Sequence, residues 1–494
     1  MERASGILMH ITSLPSPYGI GTLGKEAKRF IDFLAEAGQS YWQILPIGPT
    51  GYGDSPYQSY STFAGNPYLI DLDLLRKEGL LKKEEISSVK WGDDPQQVDF
   101  TCMEQQKIKL LRRAAKRFDF TGDDFRSFVQ KQADWLSDYS LYMALKQHFD
   151  QKTWMEWEED IKLRKPDALN CYRILLQEEI AFWNFLQYIF FKQWKKIKRY
   201  AKRNQIKIIG DIPIYVALDS ADVWANRELF CLDENAAPID VSGCPPDAFS
   251  ETGQLWGNPT YRWDYHKKTG YRWWMKRIRA AAKQYDIIRI DHFRGFDSYY
   301  AIPYGSETAA TGRWEKGPGY DFFKTLKKKL GDVPIIAEDL GYLTPSVRKL
   351  LAKTGYPGMK VLEFAFDSRE ESDYLPHNYP HNCVVYTGTH DNNTLVGWLK
   401  EIPKEDLDMC INYLRLTKEE GYDKGIIKAA WASVGDTAIA QMQDFLGLNA
   451  DARMNTPSTV GTNWKWRMLP GAATSELAGQ IRSMTKLYGR LAKK

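Results

Sequence analysis

The sequence predicts an α/β fold in which parallel strands, buried on both faces, alternate with helices; eight such strands would close a barrel. Three observations carry this expectation. Short apolar runs recur along the 494 residues, and each ends in Gly, Pro or polar residues before helix-like sequence begins. Acidic and basic residues gather at the carboxyl ends of these runs. No GxGxxG or GxxxxGK motif sits at any of those ends, which removes the usual support for a nucleotide-binding sheet.

The runs follow in order. They are GILMHITSLP (6–15), YWQILPIGP (41–49), IKIIGDIPIYV (206–216), IIRIDHF (287–293), PIIAEDLG (334–341), MKVLEFAF (359–366) and CVVYTGTHD (383–391). Seven are clear, and an eighth is expected near PSTVGTNWKWR (457–467). Seven clear strands leave an open doubly wound sheet as the alternative. The spacing is uneven, so insertions are expected: a helical one over 74–200 after strand 2, a loop-rich one over 217–285 after strand 3, and a helical one over 395–455 after strand 7. No Pro/Ser linker or internal repeat marks an independent module, so 1–494 reads as one unit.

Composition narrows the function. A net charge of +4 is small for this length and implies no broad basic surface. The basic run KQWKKIKRYAKR (192–203) carries an apolar stripe of Trp194, Ile197 and Tyr200–Ala201, so it reads as the solvated face of a helix and not a nucleic-acid site. The most apolar stretch, AFWNFLQYIFF (181–191), is too short to span a bilayer. The opening MERASGILMHITSLPSPYGIG lacks the pattern of a signal peptide, and six scattered cysteines show no paired spacing. Reduced thiols and a cytoplasmic location are expected.

IIRIDHFRG (287–295) poses the central question. Strand alternation puts Ile288 and Ile290 on one face and Arg289 with Asp291 on the other. Opposite charges on a buried face are expensive unless they are paired or working. A structural ion pair is one explanation. Asp211, Glu338 with Asp339, and His390 with Asp391 fall at other strand ends, however, and in a barrel these share one rim, where active sites are built. Asp339 lies across the alternation from Glu338 and reads as a tether for the following turn. Seven histidines without HxH or HExxH spacing argue against a metal centre. Paired carboxylates with 17 Trp and 28 Tyr suit glycosidic-bond chemistry.

Six motifs in order resemble one family. GDSPYQSYSTFAGNPYLIDL (53–72), GQLWGNPTYRW (253–263), RIDHFRG (289–295), AEDLG (337–341), THDNNT (389–394) and NWKWR (463–467) are similar to those of amylomaltases, the 4-α-glucanotransferases of the α-amylase superfamily. The resemblance runs through essentially the whole chain. It implies a (β/α)8 TIM barrel and transfer of α-1,4-glucan segments by a retaining double displacement, with no metal or organic cofactor. Its partners would be α-1,4-glucans and maltooligosaccharides as donor and acceptor, with no nucleic acid and no membrane.

Residue by residue, the resemblance makes Asp291 the nucleophile, Glu338 the general acid/base and Asp391 the third carboxylate. Asp211, Arg289 and His390 match positions around the cleaved sugar. Tyr57, Trp256 and Asn463 match positions lining the glucan groove, with Ser55 beside them. CPPDAFSETGQ (244–254) looks like a loop over the cleft, and Tyr52 resembles part of a second glucan site whose aromatic partner would stand near Phe100. Arg289 is expected to lower the Asp291 pKa. Burial and neighbouring carboxylates are expected to raise that of Glu338. Hydrolysis of α-1,4-glucans and glucan binding without catalysis are the alternatives to transfer.

Overall fold

The computed structural model describes residues 2–246, 251–341 and 343–492, excepting the Tyr52 side chain. Its described residues form twelve strands: β1 (Ala4–Leu8), β2 (Tyr41–Gln43), β3 (Lys207–Pro213), β4 (Asp240–Cys244), β5 (Gln254–Pro259), β6 (Ile287–Asp291), β7 (Ser298–Pro303), β8 (Arg313–Lys316), β9 (Ile335–Ala337), β10 (Gly358–Val361), β11 (Cys383–Tyr386) and β12 (Thr437–Gln441). Eight of them pair in parallel in the order β10-β11-β12-β1-β2-β3-β6-β9. The ring is drawn together between β9 and β10, where the Ala337 N–H donates to the Pro357 carbonyl at 2.9 Å. The fold is the expected (β/α)8 barrel.

Register and alternation define the barrel interior. Gln43 sits beside Leu8 and Ile209, Asp211 beside Arg289, and Tyr386 beside Ile439 and Val361. The opposite faces of the same strands carry Ile7, Trp42, Ile208, Ile288 and Ile290, all essentially inaccessible and packed in the main core. Burial on both faces explains the near-continuous apolar runs. Gly210 shows how tight this packing is: a Cβ there would fall inside the Tyr285 ring.

The helices stop where their sequence says. Pro345–Thr354, for example, begins after Thr344, whose hydroxyl accepts from the Val347 N–H, has Pro at its first position, and ends on Gly355 at φ +72°. The basic run 192–203 closes the helix Gln177–Arg203, whose buried side holds Trp194, Ile197 and Ala201. At the amino-terminal end of the barrel, Arg490 is buried and donates to the carbonyls of Ala4, Trp431, Ser433, Gly435 and Asp436 at 2.7–3.0 Å.

Two features differ from expectation. The eighth strand is β12, Thr437–Gln441, inside the stretch read as a helical insertion; 457–467 is irregular. The β12 sequence TAIAQ shows the barrel only Thr437, Ile439 and Gln441 while two alanines face outward, so it lacks the bulk that marks its siblings. The region after β3 also forms an antiparallel sheet, β5-β4-β7-β8, whose last two strands come from the loop after β6. The two ends of stretch 244–254 lie on β4 and β5, where Cys244 pairs with Gln254.

Candidate active site

The carboxyl ends of the barrel strands bring the sequence-selected residues together. β3 carries Asp211, β6 carries Arg289 and Asp291, the turn after β9 carries Glu338, and the turn after β11 carries His390 and Asp391. Arg289 and Asp211 are buried, and Nη1 of Arg289 donates to Asp211 Oδ2 at 2.6 Å and to Asp291 Oδ1 at 3.0 Å. The Tyr57 hydroxyl donates to the same Asp211 oxygen at 2.7 Å. The other, Oδ1, is buried without a hydrogen-bond partner among the described residues. Burial lifts the Asp211 carboxyl to about 7, against the pull of Arg289.

The expected lowering of Asp291 is overturned. Burial outweighs Arg289 and, with the charge of Asp391, leaves Asp291 above its ordinary value. Arg289 still pulls the other way, but its Nη1 also serves Asp211, and that bond is the shorter of the two. Asp291 remains 27% exposed, open to the cleft.

Glu338 behaves as expected. Burial first, then the Asp291 charge, raises it to about 7. Both of its oxygens accept backbone N–H groups, from His292 at 2.6 Å and Leu340 at 2.7 Å. Aiming the His292 N–H at Glu338 goes with a left-handed backbone at His292, φ +55°, which costs a non-glycine residue about 1–2 kcal/mol. Asp339 is the tether: it accepts the Met359 N–H at 2.6 Å and so joins β9 to β10.

Across the cleft, Asp391 Oδ2 lies 3.3 Å from His390 Nε2, and Asp391 Oδ1 accepts from the Asn455 side-chain amide at 2.6 Å. His390 is buried, which lowers its pKa and keeps the ring neutral. Tyr57 stacks on it with centroids 5.2 Å apart and planes 11° from parallel, and Trp464 tilts against both rings. The turn itself is built by Asn392, whose Oδ1 accepts the Thr389 N–H and hydroxyl at 2.9 Å, and by Thr394, which caps the next helix.

The remaining site residues divide. The Ser55 hydroxyl accepts the Tyr57 N–H at 3.2 Å and shapes that loop. Trp256 meets the His292 ring edge-on at 4.9 Å. The Asn463 amide is engaged with its own loop: Oδ1 accepts the Thr456 N–H, and Nδ2 reaches the Thr456 and Thr459 carbonyls. Phe100 lies in the core, and the Tyr52 side chain lies outside the described residues. So do 247–250 of the 244–254 stretch. His292 and Asn455 were not selected from sequence. The first was hidden inside RIDHFRG, and the second stands in an irregular segment with no periodic signal. Among the described residues, no group of three or more His, Cys, Asp or Glu is arranged to hold a metal ion.

The arrangement offers one carboxylate against a shared guanidinium, one carboxyl that keeps its proton to about 7, and aromatic walls on both sides. That combination suits displacement at a sugar carbon with a positioned acid. Comparison with known proteins agrees. The sequence profile described as 4-alpha-glucanotransferase matches residues 9–473. The chain is 52% identical to the 4-alpha-glucanotransferase of Clostridium butyricum over 98% of this chain and all of that protein. It is 49% identical to that of Streptococcus pneumoniae (serotype 4, strain TIGR4), covering 99% and 98% of the two chains. Among solved structures, the amylomaltase from Streptococcus agalactiae in complex with acarbose superposes with a TM-score of 0.97 at 45% identity, covering 99% of this chain and all of that one.

Proposed function

The chain belongs to the 4-α-glucanotransferase family, a family of transglycosylases, and from that premise we propose how its own residues carry out transfer between α-1,4-glucans. The observation that carries the proposal is the division of labour between two carboxyl groups on one rim. Asp291 is held by Arg289 and open to the cleft, while Glu338 keeps its proton up to about 7.

Asp291 attacks the anomeric carbon as Glu338 gives its proton to the departing glycosidic oxygen, leaving a glycosyl ester on Asp291 and a free 4-hydroxyl on the leaving glucan. Glu338, now ionised, takes the proton from the 4-hydroxyl of an incoming glucan, which displaces Asp291 and restores an α-linkage. Asp391 and the neutral His390 hold the sugar at the reacting position. Tyr57 and Asp211 support Arg289, and Trp256 walls the groove.

Water competes for the ester at about 55 M against an acceptor near 1 mM, so transfer needs roughly 6–7 kcal/mol of preference for the sugar. Acceptor stacking on Trp256 and shielding by the β4–β5 hairpin are the sources we assign. The main hydrophobic core runs from Ala4 to Ile481, which supports one catalytic unit with 74–200 and 217–285 as subdomains, while 395–455 supplies the barrel strand β12 as well as helices. No described helix is long and apolar enough to cross a membrane, and cysteines held as thiols suit the reducing, cytoplasmic setting we assign.

Maltotriose tests the proposal. Longer oligomers with glucose, at a constant number of reducing ends, are expected. Products only shorter than maltotriose, with one reducing end gained per event, would make the enzyme a hydrolase instead.

A further inference from the structure

The third carboxylate has a clamp of its own. Asp391 stands in the turn after β11 with its side chain 44% exposed, so β11 alone does not fix its rotamer. One short segment, Arg453–Asn455, holds it with two bonds, one to the side chain and one to the backbone, and a third bond braces the segment itself. The Asn455 amide donates to Oδ1 at 2.6 Å. Arg453 Nη2 donates to the Asp391 backbone carbonyl at 2.7 Å, and Arg453 Nε donates to the Asn455 carbonyl, also at 2.7 Å. One rigid guanidinium thus measures the distance between the two backbones across which the Asn455 amide must reach.

The surroundings make this arrangement specific. Asn455 is 9% exposed, and its amide nitrogen is spent on Asp391. The groups facing Asp391 are His390 on Oδ2, Asp291 and Tyr57 across the cleft, and Arg453 on the carbonyl. Because an amide N–H can only donate, it marks Oδ1 as an acceptor and leaves Oδ2 for His390 and the substrate. The clamp also continues into the groove: Thr456, next in the chain, gives its N–H to Asn463, and the Met454 carbonyl accepts the Trp464 N–H at 2.7 Å. The loop bearing Trp464 and the carboxylate are therefore braced by the same three residues.

We propose that Asn455 and Arg453 are positioning residues for the transferase reaction, acting through Asp391 by fixing its backbone and committing Oδ1 as an acceptor. This rests on the role given to Asp391 above, and the two are tested separately. Asp391→Asn alone tests that role; if it retains full turnover, the role fails whatever Asn455 does.

For the clamp, Asn455→Ala is expected to lower kcat by about 10- to 100-fold with KM for maltotriose within about threefold, and to leave the thermal midpoint nearly unchanged. In an Asp391→Asn background, assayed in a single turnover with an α-maltosyl fluoride donor, the same substitution is expected to cost less than threefold. Asn455→Asp, which sets a second carboxylate against Oδ1, is expected to move the acid limb of kcat/KM upward by about one pH unit. A kcat for Asn455→Ala equal to the parent's, or an equal loss in both backgrounds, overturns the proposal. So does an unmoved acid limb in Asn455→Asp.

Discussion

Asp211 holds Arg289 by a 2.6 Å bond in a place where the two side chains are 0% and 3% exposed, and Arg289 reaches Asp291 with the same nitrogen. The surroundings of Asp291 are thus shaped in part by a residue on the neighbouring strand, β3. Asp211→Asn keeps the shape and offers Arg289 a neutral amide oxygen in place of a carboxylate, so the guanidinium charge is left more fully to Asp291. The acid limb of kcat/KM is expected to shift to lower pH. Asp211→Ala also leaves a buried guanidinium half-paired and is expected to cost about 3 kcal/mol of stability. Chemical denaturation and a pH–rate profile measure both. An unmoved acid limb in Asp211→Asn would show that Asp211 does not compete for Arg289.

Asp291→Asn should abolish turnover, by about 10⁴-fold or more, while maltooligosaccharide affinity stays within a fewfold. The amide keeps the bond to Arg289 but cannot form the ester. Calorimetric titration and product analysis separate the two effects. Turnover near the parent's, with the substitution confirmed intact by mass, would remove Asp291 from the nucleophile's place.

Glu338→Gln should slow maltotriose by about 10³-fold yet impair the first step with an α-glucosyl fluoride far less, because fluoride leaves with little protonation. The parent's activity should fall on the alkaline side with an apparent pKa of about 7, since the acid form is lost there. The sign for stability follows. Folding raises Glu338 from 4.5 to about 7, so between those values the native state binds the extra proton, and the Glu338 contribution to stability declines as pH rises. Glu338→Gln should flatten that decline in a denaturation series from pH 4.5 to 7.5. Asp211, also lifted to about 7, should leave a residual slope.

Most of this site was legible before the structure because its chemistry is written in strand ends. Arg289 and Asp291 share a face by alternation, and Asp211, Glu338 and Asp391 follow apolar runs whose strand character is plain. What escaped was decided by tertiary contact. β12 is built on two outward alanines, so no local bulk announced it. His292 matters through its backbone N–H and left-handed conformation, which its residue type does not encode. Asn455 reaches Asp391 across 64 residues of chain. The sign of the Asp291 shift depended on how deeply the fold buries its carboxyl, a tertiary outcome that outweighs the Arg289 visible two residues away in the sequence.

Arg490 tests the opposite end of the barrel. Five backbone carbonyls converge on its buried guanidinium. Arg490→Met keeps most of the volume and orphans those acceptors, so a loss of about 3–5 kcal/mol is expected. The kcat of the folded fraction at 25 °C should stay within twofold, because none of these groups meets the catalytic rim. Thermal unfolding paired with active-site titration reads both, and a large kcat change per active site would mean that the two ends of the barrel are coupled.

The choice between sugar and water is the last matter, and Gly253 gives access to it. It closes the β4–β5 hairpin at φ +70°, where a Cβ would stand 2.5 Å from the Cys244 carbonyl oxygen and 2.8 Å from the Ala309 Cβ. The Thr252 carbonyl beside it accepts the Ala309 N–H at 3.0 Å, which fastens the hairpin to a small core of Val241, Tyr300, Ile302 and Ala309. Gly253→Ala therefore strains the backbone by about 1–2 kcal/mol and pushes the hairpin off this anchor without touching a carboxylate. If the hairpin shields the glycosyl ester, the ratio of hydrolysis to transfer should rise severalfold even as total donor cleavage falls. One assay on maltotriose supplies both quantities: hydrolysis adds a reducing end per event, whereas transfer conserves their number while releasing glucose. A lowered thermal midpoint with an unchanged ratio would show that the hairpin is not the water barrier. The preference for sugar would then rest on the acceptor wall at Trp256 and His292, where Trp256→Ala is the substitution that should move the same ratio.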